Sequence, residues 1–206
     1  DVYYSGIVVK ENYTHPAMPQ RKGIEEEILK GMYLLKAGEK GDKKVQLMGS
    51  GVILNEVIKG AELLKNDFGV DADIWSVPSF NLLHRDAIEV ERYNRLHPLE
   101  EAKLPFVTRQ LQGYEGPVIA STDYIRSFAD RIRAYIPNNY HVLGTDGFGR
   151  SDSRANLRDF FEVDSRHVAV AALSALAEQG KVGKEVVQQA IEKYGIQTDT
   201  APSWKR

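Results

Sequence analysis

Apolar residues in this chain fall into short runs, and most of the runs are followed by a longer segment in which they recur at helical spacing. Val45-Gln46-Leu47-Met48 predicts a strand. After Gly49-Ser50-Gly51, the positions Ile53, Leu54, Val57, Ile58, Ala61 and Leu64 predict a helix from about 52 to 68, with Gly69 just past its end. Residues 72–77 predict the next strand, and Pro78-Ser79 opens a helix, N-capped by Ser79, that reaches roughly Leu96. Residues 118–120 predict a third strand, with Ser121-Thr122-Asp123 capping a helix over 124–135. Residues 141–143 predict a fourth, followed by a loop and a helix over 155–161 with Ser153 as N-cap. Two helices close the pattern, about 165–179 and 184–194, ended by Gly180 and Gly195. Strands alternating with helices in this way predict a mostly parallel sheet covered on both faces, spanning about residues 26 to 195.

The amino-terminal part follows another pattern. Residues 2–9 are strongly β-prone, and Pro16 and Pro19 then forbid regular structure. Residues 1–9 read as the terminal strand of a neighbouring domain and 10–25 as a linker. The segment Ile28–Leu35 fits helix or strand, and the turn-rich 37–42 before Val45 suggests a hairpin with the strand at 45–48. Asp1 lies directly inside the β-rich run, as expected for a piece of a longer chain.

Composition narrows the classes. With 206 residues and 42% hydrophobic content, the chain can bury a sizeable core. A formal net charge of -2 with scattered basic residues gives no footprint for nucleic acid. The absence of cysteine excludes disulfides and thiolate metal sites, and fits a cytoplasmic setting. No apolar run approaches the roughly 20 residues of a membrane-spanning helix, so a membrane partner is not expected.

The candidate chemistry is concentrated in Gly144–Arg154, which packs three glycines, two arginines and two aspartates between a strand and a helix. Open α/β sheets place ligands at such strand-to-helix loops, although a well-capped connector would read the same way. Gly49-Ser50-Gly51 lacks the third glycine of a dinucleotide fingerprint, Leu54 standing in its place, while Asp71 and Asp73 lie near the distance of a ribose-binding carboxylate. Glycines that let a helix pack on its strand explain the motif as well. No P-loop, nucleophile elbow or tight histidine pair occurs, and His167 reads as part of a solvated helix face.

Several blocks taken together go further. Lys10–Tyr13 with Pro16–Pro19, Leu47–Gly51, Leu96–Glu100, Ala120–Tyr124 and above all Gly144–Arg154 resemble, in order, the carboxy-terminal part of the homodimeric bacterial pyruvate dehydrogenases. More distantly, Lys30-Gly31-Met32-Tyr33-Leu34-Leu35 resembles a run in the carboxy-terminal domain of transketolases, which favours strand for that segment. The resemblance implies a three-layer α/β fold with a five-stranded, mostly parallel sheet and one antiparallel strand. It implies that residues 1–25 end the middle, pyrimidine-binding domain and its linker, and that 26–206 form the carboxy-terminal domain. For the full enzyme it implies decarboxylation of pyruvate with thiamine diphosphate and magnesium. The acetyl group then passes reductively to a lipoyl group of the dihydrolipoyl acyltransferase component, in a homodimeric enzyme. The diphosphate- and pyrimidine-binding domains lie outside this chain, so the fragment alone is expected to bind no cofactor or metal and to be inactive. Glu11, Asn12, Tyr13, Asp146, Phe148, Arg150 and Asp152 are the candidates for lining the approach to the active site. Arg150 is the choice for attracting an anionic substrate or an acidic lipoyl domain, because its planar fork suits carboxylates. The rival expectation is an assembly module with no site residues of its own. The two separate on whether residues 11–13 and 144–154 meet on one face. A relative acting on sugar phosphates would need clustered basic residues, and Glu11 argues against it.

Overall fold

The computed structural model describes residues 24–39 and 41–206. Helix α1 (Ile24–Lys30) leads through Gly31 into β1 (Tyr33–Lys36), so the ambiguous segment 28–35 resolves as the end of a helix followed by a strand. The helix begins two residues inside the stretch read as linker. The strand reading for 1–9 and most of the linker reading fall outside the described residues.

Four further strands follow: β2 (Lys44–Gly49), β3 (Asp71–Ser76), β4 (Val118–Ser121) and β5 (Tyr140–Leu143). They form one sheet of order β1-β3-β2-β4-β5, in which only the β1–β3 pair is antiparallel. The fold class and the sharing of one sheet by residues 45–48 and 141–143 are as expected from sequence. The hairpin is not. β1 pairs with β3, Tyr33 facing Ser76, and the chain then passes the start of β3 to enter β2 on its far side. Gly38 permits that crossing, because a Cβ there would lie 2.6 Å from the Ala72 carbonyl oxygen. Its N–H donates to Asp73 Oδ1 at 2.8 Å, which fixes the crossing in place.

The helices cover the sheet as alternation along the strands requires. Leu47 and Ile119 point to the layer of α2 (Leu54–Phe68) and α7 (Ser165–Glu178), backed by α8 (Lys184–Tyr194). Their neighbours Met48 and Ala120 point to the layer of α3 (Phe80–Leu96), α4 (Phe106–Leu111) and α5 (Arg126–Asp130). Ser79 caps α3 by accepting from the Leu82 N–H at 3.2 Å, and Ser153 caps α6 (Arg154–Phe160) in the same way through Asn156. The element α4 has no counterpart in the sequence pattern.

The helix expected over 124–135 is broken. Only Arg126–Asp130 is α-helical, with a 3₁₀ turn at Arg133–Tyr135. Two tertiary bonds override local propensity there. Asp146 Oδ1 accepts the Arg126 N–H at 3.0 Å and sets where the helix starts. The buried Tyr140 hydroxyl donates to the Ala129 carbonyl at 2.9 Å, and that carbonyl accepts the Ile132 N–H at 3.4 Å in a 3₁₀-type bond in place of an α-helical one.

Candidate functional site

The sheet order creates a single change of direction. From β2 the chain crosses through α2 to β3 on one side, whereas β4 crosses to β5 on the other. The carboxyl ends of the adjacent β2 and β4 therefore diverge, and open α/β sheets hold ligands in the crevice at that point. Ser50 N–H donates to the Ser121 carbonyl at 3.2 Å and ties the two strand ends together there.

A cavity of about 400 Å³ opens beside this point. One wall is the start of the α2 segment, with Val52 and Ile53. Another is the loop after β5, with Thr145, Gly149 and Arg150. The third is α6 and the turn behind it, with Arg154, Leu157 and Val163. Gly49 lets the first wall approach, since a Cβ on it would lie 2.7 Å from the Leu54 Cα. The packing explanation therefore holds for Gly49, whereas Gly51 has room for a Cβ and instead adopts a φ of 55°.

The loop 144–154 is built from the inside outwards. Thr145 Oγ1 donates to the Asp123 carbonyl at 2.6 Å, and the Thr145 N–H donates to Tyr124 O at 2.9 Å, so two strand-end loops are laced together. Asp146 turns inward. Its carboxylate is occupied by the Arg126 N–H, and its carbonyl accepts the Ser203 hydroxyl at 2.6 Å. The chain's last turn thus clamps the loop, a contact that the sequence pattern does not announce. Phe148 stands at the loop tip, 87% exposed. Arg150 lies over the Phe160 ring, 4.2 Å from its centroid, and Arg206 lies 4.5 Å from the same centroid. Asp152 accepts from the Ser153 N–H at 2.6 Å and from the Asn156 side chain at 2.8 Å, and these bonds hold its carboxyl below the usual range.

Of the predicted site residues, Arg150 lines the cavity, while Asp152 lies in a neighbouring hollow that Arg150 shares. Glu11, Asn12 and Tyr13 lie outside the described residues. Sequence reasoning missed Arg154 and Arg158, although Arg150, Arg154 and Arg158 recur every four residues. Arg158 is held by the buried Glu56, whose Oε1 accepts from it at 2.7 Å and whose Oε2 accepts the Ser165 N–H at 3.1 Å.

Other candidates resolve as scaffold. Asp73 is fully buried and receives the Gln46 amide at 2.8 Å, the Gly38 N–H and the Lys44 ammonium at 3.0 Å. Trp75 Nε1 donates to Gln46 Oε1 at 2.9 Å and completes the network, so Asp73 holds the sheet rather than a ribose. His167 is not on a solvated face: its Nδ1 lies 2.8 Å from Asp164 Oδ1, and both side chains are largely buried. Among the described residues, the one carboxylate–imidazole cluster tight enough to share a cation is Asp159, Asp164 and His167. The Arg166 guanidinium already bonds both carboxylates. A set whose centre holds a guanidinium, with one imidazole nitrogen as donor, does not fit the octahedral oxygen shell of a magnesium–diphosphate unit.

Comparison with known proteins agrees with the geometry. The family described as the transketolase-like TK C-terminal domain matches residues 31–164. The chain is 57% identical over 198 residues to the pyruvate dehydrogenase E1 component of Pseudomonas aeruginosa, covering 95% of this chain and 22% of that protein. It is 50% identical over 200 residues to that of Escherichia coli, covering 97% and 22%. The chain thus spans about a fifth of the length of the curated relatives it matches. A crystal structure of transketolase from Pichia stipitis in complex with a sedoheptulose phosphate shares the fold, with a TM-score of 0.50 and 18% identity over 76% of this chain and 19% of the other. The profile, the sheet order and these relatives coincide on the same stretch of residues, and the chain belongs to the transketolase-like C-terminal domain family.

Proposed function

We propose that this chain is the carboxy-terminal domain of a pyruvate dehydrogenase E1 component. The observation that carries the reading is the 57% identity to such a protein across nearly the whole chain. On this reading residues 1–25 close the middle domain and 26–206 form the carboxy-terminal domain. The full-length homodimer decarboxylates pyruvate and reductively acetylates the lipoyl group of the dihydrolipoyl acyltransferase component in the cytoplasm. Thiamine diphosphate with magnesium supplies the carbanion chemistry, held by parts of the protein outside this chain.

This domain then contributes assembly and the approach to the active site. Glu11, Asn12, Tyr13, Asp146, Phe148, Arg150 and Asp152 remain the candidates for that approach. Arg150 and Phe148 are supported by their exposure on the loop after β5, whereas Asp146 and Asp152 act there by shaping the loop. A pure assembly role is favoured by a different observation. Val52, Tyr124, Ile125, Phe148 and Trp204 leave apolar surface exposed on the loops at the carboxyl end of the sheet and the tail that clamps them.

Steady-state kinetics of the full-length protein test the reading. Turnover of pyruvate with a lipoyl-domain acceptor is expected, and Arg150→Ala should raise KM for the lipoyl domain at low salt, with the effect shrinking as salt screens it. No pyruvate turnover would refute the proposal. Unchanged kinetics in Arg150→Ala would leave the domain with assembly alone.

A further inference from the structure

We infer that the cavity at the divergence of β2 and β4 binds a small organic acid, with its carboxylate on Arg154 and an apolar body against Val52, Leu157 and Phe161. The inference goes beyond the proposed function and does not rest on it, since it uses only groups on this domain. At about 400 Å³ the space lies within the range of small-molecule sites, well above what a lone inorganic anion fills.

The charges around it are unequally committed. Arg158 is fastened to Glu56, and Arg150 is stacked on Phe160 beside Asp152. The Arg154 side chain makes no hydrogen bond or ion pair among the described residues, so its fork is open to a planar carboxylate. Asp123 lines the same cavity, and its Oδ1 would be 3.6 Å from a Cβ on Gly51. It places negative charge beside the start of the α2 segment. An acid group is therefore driven toward α6, and its apolar body is left over the exposed Val52 and the half-buried Leu157 and Phe161. A phosphate ion alone would meet the arginines but leave the apolar walls uncovered.

The test uses the full-length protein and 4-fluorobenzoate, read by ¹⁹F NMR line broadening. Saturable broadening is expected, with 4-fluorobenzamide at least about tenfold weaker, since it keeps the ring and loses the charge. Arg154→Gln, at an exposed position without a side-chain partner among the described residues, should raise the dissociation constant about tenfold without moving the thermal midpoint. Val52→Asp places a like charge on the cavity wall at an exposed position and should weaken binding similarly. Weakening by either variant upholds the site. No binding of the acid, equal binding of the amide, or wild-type affinity in both variants overturns it.

Discussion

A single carboxylate, that of Asp164, organises one end of the α2–α7 layer. It accepts the backbone N–H groups of Arg166 and His167, capping α7, and it also meets the His167 ring and the Arg166 guanidinium. Burial alone would push its carboxyl up, but the bonds from His167 and then Arg166 outweigh burial and hold it at about 2. A folded value below the unfolded one, about 3.9 for aspartate, means that the group stabilises the fold fully above that pH. The contribution fades as pH falls towards about 2. Asp164→Ala should cost about 1–2 kcal/mol at pH 7, the usual range for a lost N-cap. The gap to the parent protein should narrow between pH 5 and pH 3, as read from urea midpoints. A gap independent of pH would show that the carboxylate's charge is not what matters. Nothing in the sequence marks His167 as partnered, because an Asp three residues earlier is also an ordinary cap. Only the packing of α7 against α2 buries the pair.

At the scale of elements, most termini are written locally. Ser79, Ser153 and Gly69 stop or start their helices through bonds within a few residues, and such signals are legible in a sequence. The end of α6 shows local chemistry working against the residue present. Val163 N–H bonds Arg158 O at 2.9 Å and Glu162 N–H bonds Asp159 O at 3.1 Å, a Schellman closure that puts Glu162 at φ 59°. Glycine is the residue suited to that conformation. Glu162→Gly should therefore stabilise the domain by roughly 0.5–1 kcal/mol, raising the thermal midpoint by about 2 °C. The ion pair of Glu162 with Arg206, 3.7 Å apart at the surface, is worth too little to reverse the sign. A lowered midpoint would refute it. The elements that sequence misplaces are those decided at a distance. β1 chooses β3 over β2 because Asp73 and Gly38 guide the crossing, and the helix at 124–135 breaks because Asp146 and Tyr140 claim its backbone groups.

Across the whole molecule, the candidate site was half legible for the same reason. The loop Gly144–Arg154 announces itself by composition, yet the cavity also needs Val52, Asp123 and Val163, which only the divergence of β2 and β4 brings to it. That end of the sheet is also where Tyr124, Ile125 and Phe148 stand exposed. The 206 residues account for about a fifth of the relatives' length. If the remainder of a full-length protein covers this end, the loop's backbone amides should lose access to water on joining it. Hydrogen exchange of residues 144–154 should then be slower in the full-length protein than in the 206-residue chain, by about tenfold or more. The β2 amides between β3 and β4 already sit in a completed ladder and should change little. Slowing of both segments alike would mean that the rest of the protein stabilises the domain globally. Slowing of neither would leave the loop open to solvent, free to meet a partner from outside the chain.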